Sequence, residues 1–425
     1  MISSMEHIHL IKEKDNIVLI NKKNLKWAKI TATEFFALKS RIEQDFDFRE
    51  KLIQNNSLFA RETSLHQDID IKSIYYIVTR LCNMNCSFCS MASGKNINTY
   101  DNLKVEDFRD RVVDKLKYLN PKKIVISGGE PLTRNDLVDI VREIRCKLPN
   151  VFILLQTNGL LLSHKIWKDI EQHISGIEIS VEHLLNDGFV VDDDLLLDIS
   201  NSKVKLYFSY VFDINKENDI ERVLKFGLRY NAKVSFRIAS EIGLYSLEVN
   251  NKIAEVKILD MYLVIIDFIV KNKLNEPEII SDLIFDLKVG KSCGANGKTL
   301  TILHDGYLTI CPNLREPEFK FGHILETEKT VIREDLKRLL NCRDILNVLD
   351  VERIDYCTDC EYKYFCVGVC AGENSAGKIN YDPKCTIKKI LIKFNLFYYD
   401  NTKDYIFNLN KLRNLIESEK RKIIG

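Results

Sequence analysis

From residue 73 onward short apolar runs alternate with amphipathic stretches, and that rhythm restricts the possible architectures more than any other feature. The apolar runs are SIYYIVT (73–79), KIVIS (123–127), VFILLQ (151–156), GIEISV (176–181), VKLYFSYV (204–211) and AKVSFRIA (232–239). Between them stand helix-patterned segments such as KVEDFRDRVVDKLKYL, RNDLVDIVREIRCKL and ENDIERVLKFGLRY. Strands separated by helices pair in parallel, and strands that are apolar almost throughout suit burial on both faces. Six such units between residues 73 and 239 predict an α/β fold, a partial (β/α)6 TIM-like barrel that is too short to close. In folds of this kind the chemistry gathers at the C-terminal ends of the strands.

The flanking segments break the rhythm. HIHLIKEK, NIVLINKK and LKWAKI read as three strands, after which Thr31 and Glu34 have capping-box spacing and open a helix, TEFFALKSRIE. A second short helix is predicted over DFREKLIQ and a polar linker over NNSLFARETSLHQDID. Residues 1–70 are therefore expected to form an α+β module, which by resemblance is winged-helix-like, 71–276 the barrel, and 277–425 a cysteine-rich domain ending in a helix, KLRNLIESEKRKIIG. That tail could close the barrel, cover the cysteine-rich domain or contact another chain. In the last region, loops such as GKSCGANGK and CAGENSAGK carry glycines that let backbone pass close to a bulky group. So cysteine-dense a stretch buries little apolar surface, and bound metal would supply the missing stability.

Lys and Arg number 62 against 61 Asp and Glu, a net charge of +1, which lacks the basic footprint of a nucleic-acid or anionic-membrane binder. The opening MISSMEHIHLIKEKD is charged where a signal peptide is apolar. The longest apolar run, MYLVIIDFIV at 261–270, contains Asp267 and is half the roughly 20 residues that span a bilayer. A cytoplasmic protein is expected. Thiols stay reduced in that compartment, so the twelve cysteines read as metal ligands rather than disulfides.

Cys82, Cys86 and Cys89 follow the first barrel strand directly. A four-iron cubane is normally held by four thiolates, so three leave one iron open, as catalytic zinc keeps one open position. The spacing alone also admits a zinc site with a distant fourth ligand, or three unrelated buried thiols. One β–α unit later comes ISGGEPL (126–132), where Gly128 and Gly129 allow close backbone approach and Glu130 offers a carboxylate to an ammonium group.

With that pairing of motifs, residues 73–275 resemble the radical S-adenosylmethionine (SAM) enzymes. The resemblance implies a 4Fe–4S cluster on Cys82, Cys86 and Cys89 whose open iron takes the amino and carboxylate groups of SAM. One-electron reduction then cleaves SAM to methionine and a 5′-deoxyadenosyl radical. Carried over by position, Ser127, Gly128, Gly129 and Glu130 meet the SAM amino group, the backbone near Phe88 lies by the adenine, and Ser180 in IEISVE touches the ribose or carboxylate. QTNG (156–159) resembles the family's third strand end. Arg237, on the sixth strand, is a further SAM contact or an ion-pair partner at the barrel mouth.

Seven more cysteines stand at Cys293, Cys311, Cys357, Cys360, Cys366, Cys370 and Cys385. The spacing from Cys357 to Cys370 by itself also suits a zinc ribbon. The whole pattern, with Gly306, resembles the SPASM extension of radical SAM enzymes, which implies two auxiliary 4Fe–4S clusters. By that resemblance Cys357, Cys360, Cys366 and Cys385 hold the outer cluster and Cys293, Cys311 and Cys370 the inner one. Two closed cubanes need eight thiolates, so Cys342 completes the inner set, a non-cysteine ligand does, or an iron stays open. Cys342 and Cys146 both lie in helix-like runs and read as buried structural residues.

SPASM enzymes mostly modify peptides or proteins, and the N-terminal module resembles the element that binds a precursor's leader peptide by adding it to a sheet edge. The expected function is hydrogen abstraction from a ribosomally made precursor followed by a cross-link, a thioether first, with flavodoxin or ferredoxin as one-electron donor. Peptide epimerisation, dehydrogenation of a small alcohol and formylglycine formation are the enzymatic alternatives. In anaerobic sulfatase maturases an aspartate base follows the second SPASM cysteine; here that position is Pro312, which accepts no proton. The non-enzymatic alternative is an iron–sulfur or zinc scaffold, which has no use for Glu130 or an unfilled three-cysteine loop.

Overall fold

The computed structural model of the protein describes residues 6–48, 51, 58–59, 69–183, 192–274, 283, 287–375, 377 and 381–425. At its start β1 (Ile8–Glu13), β2 (Asn16–Asn21) and β3 (Trp27–Thr31) form an antiparallel sheet in that order. The helix Ala32–Gln44 opens on the expected capping box, with Glu34 N–H donating to Thr31 Oγ1 (3.2 Å) and Thr31 N–H to Glu34 Oε2 (2.7 Å). Period-2 patterning gives the sheet two apolar faces. Ile17 and Leu19 pack with Phe35 and Ile42 of the helix, while Ile11, Val18 and Ile20 pack against Val351, Tyr364 and Phe365 of the cysteine-rich region. The DFREKLIQ and linker segments fall largely outside the described residues.

The frame is β4 (Ser73–Ile77), β5 (Lys123–Ser127), β6 (Phe152–Thr157), β7 (Gly176–Ser180), β8 (Lys205–Phe212) and β9 (Lys233–Ile238), each parallel to the next. These are the six strands expected from the pattern. Ile74, Tyr76, Ile124, Ile126, Ile153, Leu155, Ile177, Ile179 and Phe208 are at most 1% exposed and share one core with the flanking helices. Each such side chain contributes about 2 kcal/mol of burial free energy. Their neighbours in the alternation, among them Tyr75, Gln156, Glu178, Tyr207 and Arg237, lie on the opposite face and stay partly accessible.

The alternation does not predict what covers the free edge of β4. There β10 (Thr299–Ile302) pairs in parallel with β4, and β11 (Tyr307–Thr309) and β12 (Lys320–His323) extend the sheet to nine strands, β12-β11-β10-β4-β5-β6-β7-β8-β9. The turn before β11 carries Gly306 at φ +87°, where a Cβ would stand 2.6 Å from His323 Nε2.

The tail helix Tyr405–Ile424 packs along the helix Asn251–Lys271 that follows β9. Its Arg413 Nε reaches Asp267 Oδ1 at 2.6 Å, which accounts for the lone carboxylate in the apolar run MYLVIIDFIV. Among the described residues no helix is long and apolar enough to cross a membrane. Two expectations fail. Cys146 is exposed, because the helix Leu137–Lys147 buries the face of Leu137, Ile140, Val141 and Ile144; Cys342 is also exposed, at the N-cap of Arg343–Leu349.

Candidate functional site

At the end of β4 the chain forms a closed loop: Leu81 bridges Gly94, and Cys82 N–H donates to Gly94 O at 3.0 Å. Within it Cys89 N–H reaches Cys86 O (3.2 Å) and Ala92 N–H reaches Cys89 O (3.1 Å), so Cys82, Cys86 and Cys89 are held half-buried on one short segment. Backbone amides also point at sulfur, Met84 N–H to Cys82 Sγ and Ser93 N–H to Cys89 Sγ, each at 3.4 Å. Hydrogen bonds of that kind tune ligating thiolates. Burial pushes the Cys82 thiol up, and burial with the neighbouring Cys89 and Cys82 pushes Cys86 up to about 11. Cys82 and Cys86 are therefore largely protonated at neutral pH, and metal binding would release protons. Phe88 sits partly exposed on the same loop.

The turn after β5 locks onto this loop. Gly129 N–H donates to Thr79 O (2.8 Å) and Glu130 N–H to Leu81 O (2.9 Å). A Cβ on Gly128 would meet Thr79 O, and one on Gly129 would meet Leu81 O, both at 2.3 Å, so no larger residue fits between the strand ends. Ser127, the last residue of β5, stays partly accessible. Glu130 is fully buried, and its carboxylate accepts from Leu132 N–H (3.0 Å), Thr157 Oγ1–H (2.7 Å) and Asn158 N–H (2.7 Å). Burial raises its pKa despite those three donors. Asn158 in turn donates from Nδ2 to Asn83 Oδ1 (2.7 Å) and stands 4.0 Å from Cys82 Sγ. Glu130 thus faces inward and organises the residues around the thiols.

Ser180 ends β7 in register with Ser209 of β8. Two residues on, Glu182 is buried, accepts a short hydrogen bond from Val211 N–H, and has its pKa lifted by burial to about 7. It also acts electrostatically on Cys86. Sequence reading passed over Glu182; its signal is a carboxylate one step beyond an apolar strand end. Arg237 Nη2 pairs with Glu178 Oε1 at 2.5 Å, and Gln156 Nε2 donates to the same oxygen at 2.9 Å. Tyr75, on that face of the sheet, lies within electrostatic reach of Arg237, Cys311 and Glu178.

The C-terminal thiols fall into two groups. Cys311 and Cys293 each respond to Cys370, and Cys311 to Cys293 as well. Burial dominates and lifts Cys311 to about 12. Separately, Cys357 responds to Cys366 and Cys360, and Cys385 to Cys366, beside the buried Asp382 and the half-buried Lys388 (3.5 Å apart). Cys342 joins neither; its thiol donates to Arg338 O at 3.5 Å. Among the described residues no three His, Cys, Asp or Glu side chains are placed for one metal ion. A cubane spreads its thiolates over different irons, so it does not require all its ligands around one metal ion. The donors fit the group: three thiols on one loop with amides at sulfur, beside a glycine turn that any side chain would fill.

The Radical SAM superfamily model matches residues 76–226. A GTP 3′,8-cyclase of Clostridium perfringens (strain SM101 / Type A) is 30% identical over 172 residues, 38% of this chain and 52% of that protein. The chain thus spans about half the length of that curated relative. The radical SAM cyclopropyl synthase TigE of Paramaledivibacter caminithermalis is 25% identical over 389 residues, 78% of this chain and 76% of that one. The crystal structure of Streptococcus suis SuiB bound to its precursor peptide SuiA has the same fold, with a TM-score of 0.56 at 14% identity over 89% of this chain and 97% of SuiB. Residues 76–226 thus match the radical SAM domain, and enzymes with this domain use SAM and a 4Fe–4S cluster.

Proposed function

We propose that this enzyme modifies a ribosomally made precursor peptide, taking a hydrogen atom from one residue and closing a thioether to a peptide cysteine. When bound, SAM on a reduced 4Fe–4S cluster supplies the radical that removes the hydrogen, and clusters on the C-terminal thiols accept the electron left over. The observation that supports this reading is the second trio, Cys293, Cys311 and Cys370, of which Cys311 lies within electrostatic reach of Tyr75 on the accessible face of the sheet, while Cys342 donates instead to Arg338 O. Such a set leaves room for an outside ligand, and a substrate thiolate fits it.

In this reading Cys82, Cys86 and Cys89 hold the SAM-site cluster. Ser127, the Gly128–Gly129 backbone and Ser180 receive SAM, with the backbone at Phe88 by the adenine. Glu130 keeps Asn158 and the thiol loop in place through its buried hydrogen bonds. Gln156, Glu178 and Arg237 form the polar wall along which the peptide lies. Residues 1–70 take the leader as an added strand on an edge of the three-stranded sheet, 71–276 carry the radical chemistry, and 277–425 carry two auxiliary clusters, the outer one on Cys357, Cys360, Cys366 and Cys385. SuiB, bound to a precursor peptide, supports the peptide substrate. A flavodoxin or ferredoxin class protein supplies the electron.

The name of TigE, a cyclopropyl synthase matching 78% of the chain, favours carbon–carbon ring closure as a second reading. Reduced, reconstituted enzyme incubated with SAM and a cysteine-containing precursor encoded beside it should yield a product lighter by one hydrogen molecule per bond. A thioether hides one cysteine from iodoacetamide, whereas a carbon ring leaves every thiol reactive. An unchanged mass despite 5′-deoxyadenosine release would refute both and indicate epimerisation.

A further inference from the structure

Between the two thiol trios lies Arg315, a residue no sequence motif singles out. It follows a tight turn in which Leu314 N–H donates to Cys311 O (3.0 Å) and Thr309 Oγ1 donates to Leu314 O. From there its guanidinium spans two loops. Nη1 donates to Pro312 O (2.7 Å) and contacts Met91 Sδ (3.3 Å), while Nη2 donates to Ser90 O (2.8 Å). Pro312 follows Cys311 directly and Ser90 follows Cys89. The carbonyl of Cys89 itself is taken by Leu244 N–H (3.1 Å), so Ser90 O is the next acceptor along the loop. As thiolates, Cys89 and Cys311 would both act electrostatically on the guanidinium, alongside Glu316 and Arg80. A guanidinium with a permanent charge donates to both carbonyls at once.

We propose that Arg315 is a strap between the two trios, fixing their separation and placing one positive charge beside both. The inference rests on the reading that both trios carry clusters. A cation near a cluster stabilises its reduced form, so Arg315 raises the reduction potential at each site and couples them as electron partners.

The test is an anaerobic redox titration of the full-length reconstituted protein, followed by electron paramagnetic resonance, with iron and sulfide content measured in parallel. Arg315→Met should keep the metal content and shift the SAM-site and inner cluster potentials to more negative values, leaving the outer cluster unmoved. Arg315→Lys should recover most of the shift. Unchanged potentials in the Met variant, or a shift that Lys does not recover, would overturn the strap. If the Met variant binds no metal, wild-type potentials in the Lys variant support the proposal and a metal-free Lys variant refutes it. Wild-type protein with a single cluster signal, or with zinc at the C-terminal thiols, would overturn the parent reading before any variant is made.

Discussion

The two thiol trios are built in opposite ways. Cys82, Cys86 and Cys89 sit on one loop at the end of β4, a strand held by ladders on both sides and by a core of side chains almost wholly buried. Cys293, Cys311 and Cys370 come from three distant segments, and the neighbouring outer group sits in a small cluster, Ile354, Cys357 and Val369, of which a thiol is itself a member. In the barrel the fold supports the site. If the C-terminal thiols hold clusters as proposed, there the site supports the fold, as in metal-dependent domains whose binding free energy is folding free energy.

Paired substitutions test that contrast most strongly. Cys86→Ala should abolish 5′-deoxyadenosine release, by about 1000-fold or more, since removing one ligand from a set of three leaves no seat for the cluster. The unfolding free energy of the apo protein should move by less than about 0.5 kcal/mol, because the thiol is only half-buried. Cys357→Ala should do the reverse: amide exchange across 351–375 accelerates while SAM cleavage persists within about tenfold. Equal loss of protection in both regions would break the comparison.

The same contrast explains what could be read from the sequence. The six barrel strands were legible because each is a local apolar run between helical segments, and the boundaries differ from the expected ones by two residues or fewer. The β10–β12 strands were missed because β10 owes its place to a parallel pairing with β4, more than 200 residues earlier. A local signal was present in TLTILHDGYLTI, where Asp305-Gly306 between alternating residues marks a hairpin. The thiol groupings follow from motif resemblance, whereas Glu182, Arg315 and the inward aim of Glu130 depend on burial that no spacing encodes. Cys146 went wrong for a simple reason: its one helix position falls outside the apolar stripe.

Glycines should separate the regions next. A Cβ at Gly129 meets two backbone carbonyls, Leu81 O at 2.3 Å and Arg80 O at 2.7 Å, so Gly129→Ala must displace the turn. We expect a loss of about 2–4 kcal/mol in chemical denaturation, together with loss of SAM binding. At Gly290 the nearest atom is a side-chain methyl, Val367 Cγ1 at 3.0 Å, which can give way. Gly290→Ala should cost about 1 kcal/mol or less. A larger cost at Gly290 than at Gly129 would mean that the barrel turn is the softer of the two.

Glu182 supplies a pH test of barrel burial. Its folded pKa of about 7 lies above the usual 4.5, so the unfolded chain gives up the proton first. The resulting penalty is absent below pH 4.5, grows through the window up to 7, and is complete above it. Glu182→Gln should therefore leave apo stability unchanged at acid pH and raise it at alkaline pH by up to about 3 kcal/mol. Urea unfolding at both pH extremes measures the difference, and a variant less stable than wild type under alkaline conditions would refute the assignment.

The smallest effect belongs to Arg237. Its side chain is 49% exposed and its partner Glu178 13%, so the pair works in water-rich surroundings. Arg237→Met should lower stability by about 0.5 kcal/mol, and the difference should fade at high salt, where screening removes most of the attraction. The C-terminal counterpart is drier, with Lys384 and Glu373 paired at 2.7 Å and 13% and 7% exposed, so there the ion pair is part of the packing. If Arg237 only orders the polar wall, SAM cleavage without peptide keeps its KM for SAM, and the variant slows peptide turnover alone. A tenfold rise in that KM with unchanged stability would instead assign Arg237 to the cofactor, and would extend the SAM contacts to the last strand of the barrel.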